Sequence, residues 1–279
     1  MMLTIDPKTE KTALVHKYIL GAVAPRPIAF ASTVDSDGNL NLSPFSFFNA
    51  FSANPPILIF SPARRVRGNT VKHTLENVLD NKEVVISIVT AEMAQQVSLS
   101  SCDFEKGVNE FEKAGFTPVK SEKVNPFRIK ESPVNFECKV NEVIALGKEG
   151  GAGNLVICEV LKIHIDESIL DSDENIDPLK LGALSRLGGD WYAKATKDSL
   201  FQLEKPIGKI GMGFDNLPNE IRASSILSGS DLAILASLEE IPAKTEFSQR
   251  EGKNTTEKHT LAKKYLSQGN ANDAWQILL

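Results

Sequence analysis

The feature that most restricts the fold is a pair of extended segments, VNFECKV at 134–140 and LVICEVLKIHI at 155–165, with the glycine-rich GKEGGAG at 147–153 between them. In the first, Val134, Phe136, Cys138 and Val140 alternate with Asn135, Glu137 and Lys139, the period of a strand with one apolar face. The apolar phase then slips to Val143, which predicts a bulge near Asn141–Glu142. Long strands joined by a short glycine-rich turn are antiparallel neighbours, because a parallel pair needs a long crossover. The expectation is a mainly β fold closed as a barrel, not a βαβ sheet.

Other strand signals lie upstream. PIAFASTV (27–34) runs into Asp37-Gly38, a hairpin turn, and the chain stays extended through Leu40 and Leu42. ILIF (57–60) reads as a short buried strand, and EVVISIV (83–89) as one covered on both faces. Three short helices are expected. The first carries Val71, Leu75, Val78 and Leu79 on one face with Asn69 or Thr70 as N-cap, the second starts near Thr90, and the third ends at Gly115. The stretch NLSPFSFFNAFSANPP (41–56) fits neither period, since its four phenylalanines are threaded with serines, asparagines and prolines. After about residue 200 the texture becomes helical, near 219–238 and 257–278, with a charged segment (239–258) between. The division is therefore 1–202 and a C-terminal appendage, 203–279.

Composition excludes several function classes. A net charge of −5 gives no support to nucleic-acid binding. No apolar run approaches the roughly 20 residues that span a bilayer, and the charged N-terminus has no signal-peptide core, so the expected location is cytoplasmic. Three cysteines, Cys102, Cys138 and Cys158, lack CxxC spacing and read as buried reduced thiols, and the histidines show no metal-ligand spacing. Neither GKEGGAG nor GKIGMG (208–213) has the spacing of a nucleotide-binding glycine loop.

The stretch SPARRVRGNTVKHTLEN (61–77) sets Arg64, Arg65, Arg67, Lys72 and His73 just before or at the start of a helix. Unpaired amides and the positive end of a helix dipole there suit a phosphate. Ser100 and Ser101 close the second helix and can offer hydroxyls to a ligand. RLGGDWYA (186–193) presents Trp191 and Tyr192 after a glycine pair, as a core cap, a lid or a partner contact.

The ordered set APRPIAFASTVDSDGNLNLSPFSFFNAFSANPP (24–56), FSP (60–62), NTVKHTLEN (69–77), VVISIVT (84–90), SLSS (98–101), NEFEKAGFTP (109–118), ESPVNFECKV (131–140) and RLGGDWYA resembles the flavin reductase-like family of FMN-binding split-barrel flavoproteins, over about residues 10–200. The resemblance implies a six-stranded Greek-key split barrel with flanking helices, forming a homodimer with FMN near the interface. It also implies that Ser32 and Thr33 approach the flavin ring, and that Ser46 and Asn49 contact the ring or ribityl chain, with Phe47 and Phe48 shaping the pocket. Ser61, Lys72, His73 and Thr74 correspond to its phosphate region. Arg64, Arg65 and Arg67 are alternatives for an assisting guanidinium, Arg67 among the candidate contacts. The family's Lys-Asp-Thr reads Lys72-His73-Thr74 here, which removes a carboxylate from beside the phosphate and leaves Lys72 and Thr74 as the firmer contacts.

The implied activity is an oxidoreductase that accepts hydride from NADH or NADPH on FMN and passes electrons to free flavin, a protein or another acceptor. The rival expectations are a non-enzymatic FMN carrier serving a protein partner, and a barrel that has lost its cofactor. No catalytic side chain is required of the protein in the first reading.

Overall fold

The structure is a computed structural model that describes every residue except 204, 206 and 248–252. The chain divides into two compact units, Met1–Phe201 and Gln202–Leu279.

The first unit is built on one antiparallel sheet of seven strands: β1 (Ala29–Val34), β2 (Leu40–Phe45), β3 (Phe48–Ala53), β4 (Pro56–Phe60), β5 (Glu83–Ile88), β8 (Val134–Ala145) and β9 (Asn154–Ile165). Two short pieces, β6 (Pro118–Val119) and β7 (Arg128–Ile129), pair separately, as do β10 (Leu184–Arg186) and β11 (Tyr192–Lys194). The order in the main sheet is β2-β1-β5-β8-β9-β4-β3. Its two edges, β2 and β3, are consecutive in the chain, with only Ser46 and Phe47 between them. So short a link spans about 10 Å from Phe45 to Phe48 at full stretch. The sheet must therefore curl until its edges nearly meet, which makes a barrel with an unpaired seam.

The expected six strands are seven because residues 41–56 do not stay irregular. Leu40–Phe45 completes the β1 hairpin, with Asn41 opposite Thr33, and Phe48–Ala53 pairs with β4 across a register shift at Ala50/Ser52. The bulge on β8 falls at Val140/Glu142. The outward face of β8 departs from its polar reading, since Asn135 and Glu137 are buried. The β6–β7 ribbon and its turn cover them, and the polar groups are satisfied. Asn135 Oδ1 accepts from Ser87 Oγ and the Ile129 amide, and Glu137 accepts from the Glu122 and Lys123 amides.

Inside the barrel, Ala29, Ala31, Phe45, Phe60, Val84, Ile86, Val140 and Val156 pack with Leu75 and Val78 from helix α2 (His73–Asn81). The α2 N-cap is Lys72, not Asn69 or Thr70, because Asn69 takes a left-handed conformation and its side chain holds Arg64 and the Lys148 carbonyl; Leu79 is exposed. Outside the barrel, Phe30 and Leu42 are covered by Met93 and Val97, of which Val97 lies on α3 (Ala94–Leu99), and by Phe111 of α4 (Glu110–Ala114). Helix α1 (Thr12–Ala22) precedes the sheet, and α5 (Pro178–Leu181) precedes β10. Cys138 and Cys158 are buried, and burial pushes Cys138 up to about 12; Cys102 departs from expectation in being exposed.

The second unit contains α6 (Asn219–Arg222), α7 (Gly229–Ala236), α8 (Thr255–Leu266) and α9 (Ala271–Leu278) around Leu235, Trp275 and Ile277. The first expected helix breaks after Arg222, where the Ser224 hydroxyl accepts the Ile226 and Leu227 amides; the second breaks at Gly269, with φ of 77°. Part of the charged segment expected between them, residues 248–252, lies outside the described residues.

Candidate functional site

Two recesses of the first unit collect the chemistry. The first is a polar cleft at the N-terminus of α2, lined by Arg65, Lys72, His73 and Thr74 together with Ser43, Ser100 and Asp103. No side chain caps α2, so the first-turn amides are not taken by a capping oxygen. Asp103 Oδ1 lies 3.0 Å from Arg65 Nη2 and 3.6 Å from Lys72 Nζ. The hydrogen bond from Arg65, and then the charge of Lys72, hold the Asp103 carboxyl below the usual carboxylate range. One anionic oxygen on two cations beside a helix N-terminus is the coordination a phosphate monoester would take. The donor set fits that group.

The cleft floor is a buried polar network. Thr74 Oγ1 donates to Asn41 Oδ1 at 2.7 Å, Asn41 Nδ2 donates to Glu110 Oε1 at 3.0 Å, and Asn77 Nδ2 donates to Thr33 Oγ1 at 3.0 Å. The Thr74 hydroxyl proton is thus committed to fixing α2 on β2, and what this residue offers a ligand is its amide. Burial pushes the Glu110 carboxyl up, although it accepts the Leu42 amide at 3.0 Å.

The second recess is a cavity of about 210 Å³ lined by Ile28, Pro44, Val97 and Leu184, the hydroxyl-bearing Ser46, Ser98 and Ser101, and Arg186 with Tyr192. Both recesses border β2 and the C-terminal end of α3: Ser43 and Ser100 face one, Pro44, Ser46 and Ser101 the other. Adjacent residues of a strand point to opposite sides, so one short segment serves both. The β10–β11 hairpin is held in place by Arg26, whose backbone exchanges hydrogen bonds with Arg186 and whose guanidinium donates to the Leu20, Val23 and Leu187 carbonyls.

Of the residues singled out from sequence, Lys72, His73, Thr74 and Ser100 meet in the cleft, and Ser46 and Ser101 in the cavity. The others lie apart. Ser32 and Thr33 are fully buried in β1, Thr33 within the network and Ser32 with no hydrogen-bond partner for its Oγ. Phe47 meets the His16 ring edge-on, and Asn49 is exposed on β3. Ser61 is buried and accepts the Asn154 amide at 3.0 Å. Arg67 is exposed within the turn at 66–69, while Arg64 is tied to Asn69; the guanidinium in the cleft is Arg65. Asn41, Ser43, Asp103, Glu110 and Arg186 escaped the sequence reading. The inward register of Asn41 opposite Thr33 is the one local signal that could have flagged any of them.

Comparison with known proteins agrees with this geometry. The family model described as flavin reductase like domain matches residues 21–180. A protein of Aquifex aeolicus (strain VF5) is 41% identical over 181 residues, 65% of this chain and 90% of that relative. Nitrilotriacetate monooxygenase component B from Bacillus cereus superposes with a TM-score of 0.68 at 30% identity, over 73% of this chain and 99% of that one. The 2-nitrobenzoate 2-nitroreductase NbaA of Pseudomonas fluorescens gives 0.65 at 26% identity, over 76% of this chain and 100% of that one. A curled antiparallel sheet with an open seam, a cationic cleft at a helix N-terminus and these likenesses lead to one assignment: the chain belongs to the flavin reductase-like family of split-barrel flavoproteins.

Proposed function

We propose that this protein is an FMN-dependent oxidoreductase that takes hydride from NADH or NADPH and delivers electrons to free flavin or another acceptor. The observation that carries the reading is the pairing of Arg65 and Lys72 on a single anionic oxygen at the α2 N-terminus, beside a cavity of about 210 Å³. Bound there, FMN would supply the hydride-accepting chemistry. The chain's own groups have simpler tasks. Arg65, Lys72 and the His73 and Thr74 amides hold the phosphate, and Ser46 and Ser101 present hydroxyls toward the ring. The apolar walls from Ile28, Pro44 and Val97 exclude water. Neither recess needs a proton donor for hydride transfer, and both acids of the cleft are occupied, Asp103 with Arg65 and Lys72 and Glu110 with Asn41 and Leu42.

Substitution tests the phosphate assignment. Lys72→Ala should weaken FMN binding at least fivefold more than riboflavin binding, because riboflavin lacks the phosphate; equal losses would remove Lys72 from the site. Anaerobic bleaching of the FMN-loaded protein by NADH or NADPH tests the reaction. A second reading, an electron carrier for a protein partner, draws on the 30% identical structure named as a monooxygenase component. It predicts bound FMN that nicotinamides reduce only slowly. The homodimer is part of the same proposal. Phe51 on β3 and Leu161, Ile163 and Ile165 on β9 are exposed apolar side chains that a second copy would cover. Sedimentation at the mass of one chain would count against it.

A further inference from the structure

Within the proposed FMN-binding reading, Arg186 is the one charged side chain lining the 210 Å³ cavity. Its guanidinium carbon lies over the Tyr192 ring, 4.5 Å from the centroid and directly across the β10–β11 pair, a cation–π contact. Its only acidic neighbour among the described residues is Asp190, at 4.0 Å and fully exposed, a pair that solvent screens almost entirely. A second guanidinium stands nearby. Arg26 donates weakly to Ser46 Oγ at 3.5 Å, and its pKa is lowered first by burial and then by the charge of Arg186. The Arg26 guanidinium spends its donors on three carbonyls, whereas the Arg186 guanidinium has no strong acceptor among the described residues. The cavity is therefore positive, with no carboxylate among the described residues of its lining to cancel the charge.

A neutral flavin ring that receives a hydride gains two electrons and one proton. The nicotinamide donor leaves as a cation, and one negative charge remains on the ring. A preorganised cation at the rim of the ring's pocket stabilises that product, and the transition state leading to it, more than the neutral starting form. We propose that Arg186, held over the Tyr192 ring, stabilises the negative charge of the reduced flavin and so raises its reduction potential. The role differs from that of Lys72 and Arg65, which meet a phosphate whose charge does not change during reduction.

The test is an equilibrium reductive titration of the FMN-loaded protein against a reference dye, for the wild type, Arg186→Gln and Arg186→Lys. Arg186→Gln should bind reduced FMN about tenfold less well relative to oxidised FMN. That corresponds to a potential about 30 mV lower for a two-electron couple. Arg186→Lys should recover most of the difference, because the charge is kept. An unchanged potential in FMN-loaded Arg186→Gln overturns the proposal. So does an equal fall in the Gln and Lys variants, which would mark a role in hairpin structure only. A wild-type protein that takes up no FMN would instead overturn the flavin reading itself, and this inference with it.

Discussion

On the proposed reading, Asp103 holds the two cations that a phosphate would take, so removing its charge should tighten FMN binding. The isosteric change Asp103→Asn keeps the loop's shape and deletes one negative charge. At 3.0 and 3.6 Å from Arg65 and Lys72, in a setting where the Asp103 side chain is 73% exposed, each pair is worth about 0.2–1 kcal/mol after screening and side-chain ordering. If phosphate must displace both contacts, the substitution returns roughly 0.5–2 kcal/mol to binding, a gain of about 2- to 30-fold. Because the Asp103 carboxyl stays ionised below the usual carboxylate range, the competitor is present throughout the neutral range. FMN and riboflavin titrations by fluorescence quenching would measure it. Riboflavin affinity should stay within about twofold, and the FMN gain should shrink as salt rises and the Debye length falls. No gain for FMN, or an equal gain for riboflavin, refutes the argument that Asp103 stands in for phosphate.

Other outcomes follow from the same geometry. Glu137 is fully buried; burial pushes its carboxyl up, but the Glu122 and Lys123 amides and His164, 2.6 Å away, outweigh burial and leave its pKa below the usual range. Its contribution is thus present above the unfolded carboxylate pKa and lost as pH falls through the depressed folded value. Glu137→Gln should cost about 2–4 kcal/mol in urea unfolding at pH 7, with the gap to wild type closing below about pH 4. A maleimide should label one thiol quickly in the native protein, Cys102, and three after denaturation. FMN should slow the Cys102 reaction, since that residue borders the cleft; labelling unaffected by saturating FMN would count against the cleft as its site.

What could be read from the sequence was local. Lys72, His73 and Thr74 are contiguous, and a cationic run before an amphipathic helix marks a candidate anion site without knowledge of the fold. The alternation of β8 and its bulge could be read for the same reason. Asp103, Glu110 and Arg186 come from three other elements, and only the closed sheet brings them to the two recesses. Periodicity also misplaced Glu137, because it cannot foresee that the β6–β7 turn folds over an outward-facing strand and feeds its amides to a carboxylate. Choosing among three arginines failed on a turn: Arg65 and Arg67 would share a side in an extended chain, but the bend at 66–69 carries Arg67 into solvent.

The seam between β2 and β3 gives the cofactor a second job. Ser46 belongs both to the two-residue link that closes the barrel and to the cavity wall. On the proposed reading, a ring held there would also be a clasp on the closure. In an unloaded molecule the link would still tie the two edges, but no ring would bridge them, and Phe51 is already in solvent on one of them. Unpaired edges are templates for pairing with other chains. On that reading FMN should slow association of the protein through those edges as it fills the cavity.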